Sequence, residues 1–415
     1  MRLIVDLHVH SRYSRAVSRD LNLEGLDVWA FKKGIDLVGT GDFTHPGWFR
    51  EIKAKLVQGT NGFYSLKTNS QTQFALTSEI SCIYSKGGRT RRIHSVLVAP
   101  SIEAVDLFNQ QLKKIGKLES DGRPILGLDV ARLLEMALEA SSDFIFIPAH
   151  IWTPWFSMFG SESGFDSIEE CFGDLSSNIT AVETGLSSDP PMNWRLSQLD
   201  NCQIVSFSDA HSLPNLGREA TVFEMPELTL KHFQAALRGG TAASKISETI
   251  EFYPEEGKYH WDGHRACNIS YAPSETKKHQ GICPVCKKEL VVGVLHRADA
   301  LADRSEGFKP TNRPSFRSLV PLQEIIAEAF DVGKQSKSVQ TEYERLINEL
   351  GSEFGILLDK TVEEIADAAA PNIVEAIRRV REGRLKIEPG YDGVFGKVKI
   401  FSPAERRRFG QKSLF

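Results

Sequence analysis

Cysteine is scarce in this sequence. Six residues in 415 are too few to staple a chain of this length with disulfides, and three of them crowd together at Cys267, Cys283 and Cys286, which points to metal rather than oxidation. Long hydrophobic runs are missing too. No stretch of about eighteen apolar residues occurs, and no basic segment leading into an apolar one opens the chain, so neither a membrane span nor a secretory leader is expected and the chain reads as cytoplasmic. Low-complexity tracts and internal repeats are absent, which excludes solenoids and disordered scaffolds. What is present, 41% hydrophobic and 25% charged residues, is enough to build the cores of two or three domains. The net charge of -4 conceals a basic end. Residues 371–415 carry eleven Lys or Arg against five Asp or Glu, a balance suited to a polyanionic partner.

Up to about residue 250, short β-branched runs alternate with helical patterns: LIVDLHVH, then LEGLDVWAFKKG, then IDLVGTGDF, and later IHSVLVA, DFIFIPAH, ITAVETG and QIVSFSDAH. Strands separated by helices favour parallel pairing and an α/β barrel, with polar residues gathered where the strands stop. A distorted barrel of about seven strands is expected over 1–250. Residues 251–305 change to short Gly- and Cys-bearing segments and read as a small separate module. Beyond the linker SEGFKPTNRPSF, residues 306–415 read as a helical, basic C-terminal domain.

Six of the eleven histidines fall at strand ends in the barrel-like region: His8, His10, His45, His94, His150 and His211. Asp42, Glu79 and Asp209 accompany them. Positions two apart on a strand share a face, so His8 with His10, and Asp209 with His211, can chelate in pairs. Nine nitrogen and carboxylate ligands are too many for one ion of four to six coordination, and two or three divalent ions, Zn, Mg or Mn, fit the set. Clustered ions of this kind acidify a water and neutralise charge on a phosphoryl group, so phosphoester hydrolysis is the expected reaction, with Asp209, His211 and Glu79 at its centre.

His264, Cys267, Cys283 and Cys286 form H-x2-C-x15-C-x2-C, two chelating knuckles at zinc-ribbon spacing. Four ligands without a vacancy mean one structural Zn that supplies folding energy to a short segment. His260 and His279 are the substitutes for His264. Cys82, Cys171 and Cys202 read as plain buried thiols.

The ordered motifs DLHVHS, TGDFTH, SEI, RIH, PAH and SDAH resemble those of the polymerase and histidinol phosphatase (PHP) family, a distorted seven-stranded barrel with a trinuclear metal site. The resemblance implies His8, His10, Glu79, His94, His150, Asp209 and His211 as ligands. Asp42 and His45 are separated by two residues where the family usually has Asp-His adjacent, so either supplies the second-motif ligand. The barrel, ribbon and basic tail together, with GTGDFTHPGWF, PAHIWTPWFSMFG, ETGLSSDPPMNWR and YHWDGHRAC, resemble the endonuclease Q family over nearly the full length. That resemblance implies incision of DNA on the 5′ side of uracil, hypoxanthine or xanthine and at abasic sites, leaving a 3′-hydroxyl and a 5′-phosphate. DNA carrying deaminated bases is then the partner, with repair or replication proteins as further candidates. It also implies a pocket for the extruded base at Glu183 and Ser187.

Further contacts to DNA are read from composition. Trp152 and Trp155 offer stacking surface, Arg89, Arg91 and Arg92 precede a metal-site histidine, and Arg378, Arg379, Arg406 and Arg407 lie in the basic tail. GYDGVFGKV fails the phosphate-loop pattern, so ATP is not expected. The competing readings are a PHP-type phosphatase or exonuclease and a non-catalytic DNA-binding adaptor.

Overall fold

A computed structural model describes residues 1–406. Its centre is a mixed sheet. Strand β1 (Arg2–Asp6) pairs in parallel with β2 (Leu37–Gly39), which pairs in parallel with β3 (Gln73–Lys86). From there the direction alternates, because β3 turns straight back into β4 (Arg89–Ala99) through Gly87 and Gly88, both in the left-handed region that a two-residue hairpin needs. Strand β5 (Ile145–Pro148) runs antiparallel to β4. A separate parallel pair, β6 (Ala181–Glu183) with β7 (Gln203–Val205), carries the chain to β8 (Ala220–Glu224), antiparallel to both β1 and β9 (Lys245–Glu251). The architecture is α/β, a large mixed sheet with helices, in which the parallel pairing favoured by the strand–helix alternation holds for β1, β2 and β3 and gives way to antiparallel pairing at β4 and β5.

An apolar plug lies under the polar residues: Val5, Leu7, Val96, Ile147, Val205 and Phe207 pack into one buried cluster. Helices α1 (Leu23–Lys33) and α2 (Pro46–Lys55) cover the outside of the sheet, α1 capped by the Asn22 side chain and ended by Gly34 at φ +84°. Burial on both faces is what the continuous apolar runs encode.

The C-terminal helices α3 (Leu322–Phe330), α4 (Lys337–Leu350), α5 (Val362–Ala368) and α6 (Pro371–Arg381) form a unit fastened to α1. Lys33, buried in α1, meets Glu353 at 2.7 Å, and the Tyr343 hydroxyl donates to the same carboxylate at 2.9 Å. The chain also re-enters the main sheet after the cysteine module, where Ser315–Ser318 pairs in parallel with β9. Among the described residues, no helix is long and apolar enough to cross a membrane.

Candidate metal centre

The first and last motifs lie side by side because Val9 bridges Ala210 in parallel, with His10 N–H donating to the Ala210 carbonyl at 3.2 Å. Both histidines of the first motif turn Nε2 toward the same two carboxylates. His8 Nε2 is 3.5 Å from Glu79 Oε2 and 3.6 Å from Asp209 Oδ1; for His10 Nε2 the distances are 3.3 and 3.1 Å. The other oxygen of Glu79 lies 2.6 Å from His94 Nδ1 and 3.3 Å from His150 Nε2. In the β3–β4 ladder Glu79 faces Val96, so His94 is its diagonal neighbour on the same face. Two donor groups therefore overlap at one carboxylate: His8, His10, Glu79 and Asp209, then Glu79, His94 and His150, with ligand atoms in each within 4.8 Å of one another.

These residues suit divalent cations. His8 Nε2 is buried and makes no hydrogen bond, although it looks at two acids. A shared cation satisfies all three groups, and a set of imidazole nitrogens and carboxylate oxygens is the donor chemistry of Zn, Mn and Mg. Burial opposes a charge on His8, but Glu183, Asp209 and Glu79 outweigh it and raise its pKa. Burial likewise opposes ionised Glu79 and Asp209, yet His94, Arg123, His8 and His10 around Glu79, and His8 and His10 around Asp209, hold both well below the usual carboxylate range. The site is built to keep its acids ionised and facing positive charge.

Two further acids serve the histidines instead of facing the donor groups. Asp42 Oδ1 lies 3.2 Å from His10 Nδ1, while its other oxygen takes the Ser11 amide at 2.7 Å and the Ser11 and Ser14 hydroxyls at 2.7 and 2.8 Å. Glu183 holds His8 Nδ1 at 2.9 and 3.0 Å and accepts the His150 amide at 2.8 Å. Each fixes a ring with Nε2 pointing inward, the usual carboxylate–histidine support of a metal ligand. Glu183, expected at the base pocket, has both carboxylate oxygens within hydrogen-bond distance of His8 Nδ1 and one of them on the His150 amide. His45 faces elsewhere: its Nδ1 accepts from the Gly47 and Trp48 amides as the cap of α2, and its ring lies 4.3 Å from that of Tyr13. Neither residue of the second motif joins the donor groups. His211 sits at the mouth, its ring 4.6 Å from that of His10, beside the groups but outside them.

Three non-glycine residues at the site hold left-handed backbone: Asp42 at φ +48°, His150 at +30° and Asp209 at +46°. Such conformations cost energy and persist where the surroundings fix them, commonly at functional sites. The sequence reading missed Arg123. Its Nη1 donates to Glu79 Oε2 at 3.0 Å, placing a guanidinium against the carboxylate shared by both groups. Its signal in sequence was slight, one Arg in the loop SDGRP, far from every motif.

Among the expected DNA contacts, several are used internally. Trp152 is fully buried, donates to Asn193 Oδ1 at 2.8 Å and packs on Phe159. Arg91 is buried, hydrogen-bonded to the Gly164 and Lys86 carbonyls and stacked on Phe165 at 4.0 Å. Arg379 is held by Glu375 and Glu405, Arg378 by Glu375, and Arg406 lies near Glu328 and Asp331. Arg407 lies outside the described residues. Arg89 stays exposed at the β3–β4 hairpin end, Arg92 reaches over Phe156, and Trp155 is 40% exposed with its edge to Tyr259. Ser187 lines a cavity of about 460 Å³ with Thr153, Trp155, Phe156, Tyr259 and His260.

The cysteine module gathers His264, Cys267, Cys283 and Cys286, with donor atoms within 4.8 Å of one another and Cys286 Sγ 3.6 Å from His264 Nδ1. His279 stacks on Tyr271, and buried His260 lines the cavity instead. The donor set fits a tetrahedral ion such as Zn.

The chain is similar in sequence and structure to two solved proteins over nearly its whole length. One is the lesion-specific endonuclease PfuEndoQ of Pyrococcus furiosus: 33% identity, TM-score 0.85, covering 96% of this chain and 95% of that one. The other is an endonuclease Q in complex with a 27-mer duplex substrate with an abasic lesion at the active site: 34% identity, TM-score 0.84, covering 98% of each chain. These likenesses define a DNA-cleaving hydrolase. More narrowly, the chain belongs to the endonuclease Q family. The uncharacterized protein YqxK of Bacillus subtilis (strain 168) is 29% identical over 419 residues, 96% of this chain and 99% of that protein. The uncharacterized protein MJ0043 of Methanocaldococcus jannaschii is 31% identical over 252 residues, 60% of this chain but 31% of that longer protein. Residues 321–384 match the family described as the MJ0043 C-terminal domain.

Proposed function

We propose that this protein is a metal-dependent repair endonuclease that hydrolyses the phosphodiester on the 5′ side of a deaminated base or abasic site, leaving a 3′-hydroxyl and a 5′-phosphate. The observation that carries this is the overlap of two donor groups at Glu79, beside an aromatic cavity of nucleotide scale. Divalent ions held there supply an acidified water and neutralise charge on the phosphoryl group. His8, His10, Glu79, Asp209, His94 and His150 would hold the ions. Asp42 and Glu183 keep two of those rings aimed. Arg123 adds a fixed positive charge for the phosphate oxygens.

The extruded base enters the cavity lined by Trp155, Phe156 and Tyr259, where its faces meet aromatic rings. With Glu183 committed to His8, the polar groups left to read the base are the Ser187 hydroxyl and His260. Each can accept the N–H that deamination creates on a lactam edge, where cytosine or adenine presents a lone pair. The test uses the protein with Mg or Mn and labelled duplexes carrying one uracil, one hypoxanthine, one abasic site or none. Metal-dependent incision 5′ of the lesion, with ends of the stated chemistry, supports the reading. Digestion from ends, turnover of small phosphomonoesters alone, or binding without cutting refutes it.

A further inference from the structure

Two cavities flank the metal centre, and a narrow ridge divides them. The aromatic cavity reaches the centre through Thr153, whose hydroxyl lies 3.1 Å from His150 Nδ1, and through Phe156, whose ring lies 4.8 Å from that of His94. On the other side a groove of about 980 Å³ runs between the sheet and the C-terminal helices. It reaches the centre through Arg218, which donates to the Asp209 carbonyl at 3.1 Å. Leu186 and Gly257 line both spaces. Next to them, Lys258 lines the aromatic side and holds its ammonium 4.5 Å from the centre of the Phe395 ring, which lines the groove.

Phe395 is 64% exposed, yet the segment that carries it is tied down by backbone hydrogen bonds. Gly390 N–H donates to the Glu255 carbonyl at 2.8 Å, Gly393 to Lys258 at 3.0 Å and Gly396 to Glu256 at 3.1 Å, while Trp261 N–H donates back to Gly390 at 2.9 Å. The contact is close enough that a Cβ at Gly396 would fall 2.0 Å from the Glu255 oxygen, so only glycine fits there. A large apolar ring held in water on a fixed base contributes little to folding, since it buries little surface. Its place is at the boundary between the space for one base and the space for a longer ligand.

We propose that Phe395 is the wedge that fills the base stack when the lesion nucleotide leaves it, with Lys258 setting the ring's orientation from the pocket side. Extrusion opens a gap between neighbouring base pairs, and an apolar side chain inserted there replaces the lost stacking. The inference rests on the reading of the protein as a base-extruding endonuclease. It predicts a requirement that depends on the substrate's form, because a single strand has no duplex stack to repair.

The test compares wild type, Phe395→Ala and Phe395→Trp on one uracil-containing sequence, as duplex and as single strand. A reporter of stacking, 2-aminopurine next to the uracil, is followed in EDTA, where binding is read without cleavage. Phe395→Ala is expected to cut the duplex about tenfold more slowly, the loss typical of one aromatic stack, and to cut the single strand within about twofold of wild type. Phe395→Trp is expected to restore duplex cutting, and the 2-aminopurine signal on duplex to fall in Phe395→Ala alone. Equal loss on both substrates, or full duplex activity in Phe395→Ala, overturns the wedge while leaving the endonuclease reading intact. Wild type that cuts neither substrate overturns the endonuclease reading, and the wedge with it.

Discussion

At the scale of single residues, the centre separates the side chains of the two donor groups from the side chains that support them. Glu79 belongs to both donor groups, so Glu79→Gln removes a shared ligand, and cleavage is expected to fall by at least about 10³ with a lower ion content by elemental analysis. Asp42→Asn weakens the support of His10 and of the Ser11–Ser14 turn without removing a member of either donor group. It is expected to weaken metal binding by about 10–100-fold and to regain cutting when metal is raised, which a ligand variant does not. His45→Asn keeps a good helix cap at α2, and unaltered ion content with near-normal cutting is the expected result; loss of an ion would return His45 to the ligands. Arg123 stands apart, since it contacts Glu79 without being able to bind a cation. Arg123→Gln is expected to raise or preserve metal affinity, because it removes a positive charge beside the ions, while lowering the cleavage rate about 10²-fold through loss of charge at the phosphate. Calorimetric titration with Mn and single-turnover kinetics read the two effects separately.

At the scale of elements, the sheet carries an unusual pair behind the centre. In the β8–β9 ladder Ala220 faces Ile250, which puts Glu219 opposite Glu251, and both are fully buried. Glu251 accepts the Thr184 and Ser206 hydroxyls at 3.0 and 3.1 Å, and Glu219 accepts the Phe252 amide at 3.3 Å, but one oxygen of each has no partner. Burial pushes the Glu251 carboxyl up from 4.5 to about 8, against the lowering effect of hydroxyl donors, and raises Glu219 with help from Glu251. A carboxyl whose folded value lies above its unfolded value stabilises the fold at low pH. That contribution is lost as pH rises from 4.5 through about 8. Glu251→Gln stays neutral throughout, so its melting temperature relative to wild type is expected to climb between pH 5 and pH 9; an equal offset at both ends would contradict a protonated Glu251. The same scale shows where sequence reading stopped. The strand ends His8, His10, His150 and Asp209 were legible because an apolar run breaks at each. Glu79 and His94 were named for the right cluster but not for the right place, since they sit inside the long β3–β4 hairpin rather than at strand ends. Spacing in a sequence puts a carboxylate near a histidine; it does not say whether it meets Nδ1 or Nε2, and this is why Asp42 was grouped with the ligands and Glu183 with the base pocket, while both lie against a histidine Nδ1.

At the scale of the whole molecule, charge that looks free in sequence is largely spent on holding the parts together. The basic excess of the C-terminal region suggests a DNA-docking tail; in α6, Arg379 pairs with Glu375 and Glu405, and Arg381 donates to the Leu357 and Ile356 carbonyls. Periodicity revealed the helices; the partners of their arginines come from distant segments that no local pattern reports. Contact with phosphates is then expected chiefly from Arg89 at the hairpin end and Arg92 above Phe156. Each phosphate neutralised by a protein cation contributes a slope of about -0.9 to the dependence of log affinity on log salt. Replacing Arg89 and Arg92 together by Ala is therefore expected to flatten that slope by about 1.8 units on a lesion duplex, measured by anisotropy in EDTA. Replacing Arg378 and Arg379 by Ala is expected to lower the melting temperature, because their acid partners lose their counter-charges, and to leave the slope unchanged. If the helix pair flattens the slope and the hairpin pair does not, the duplex lies against α6 and not against the β3–β4 hairpin, and the expected phosphate contacts of Arg89 and Arg92 are wrong.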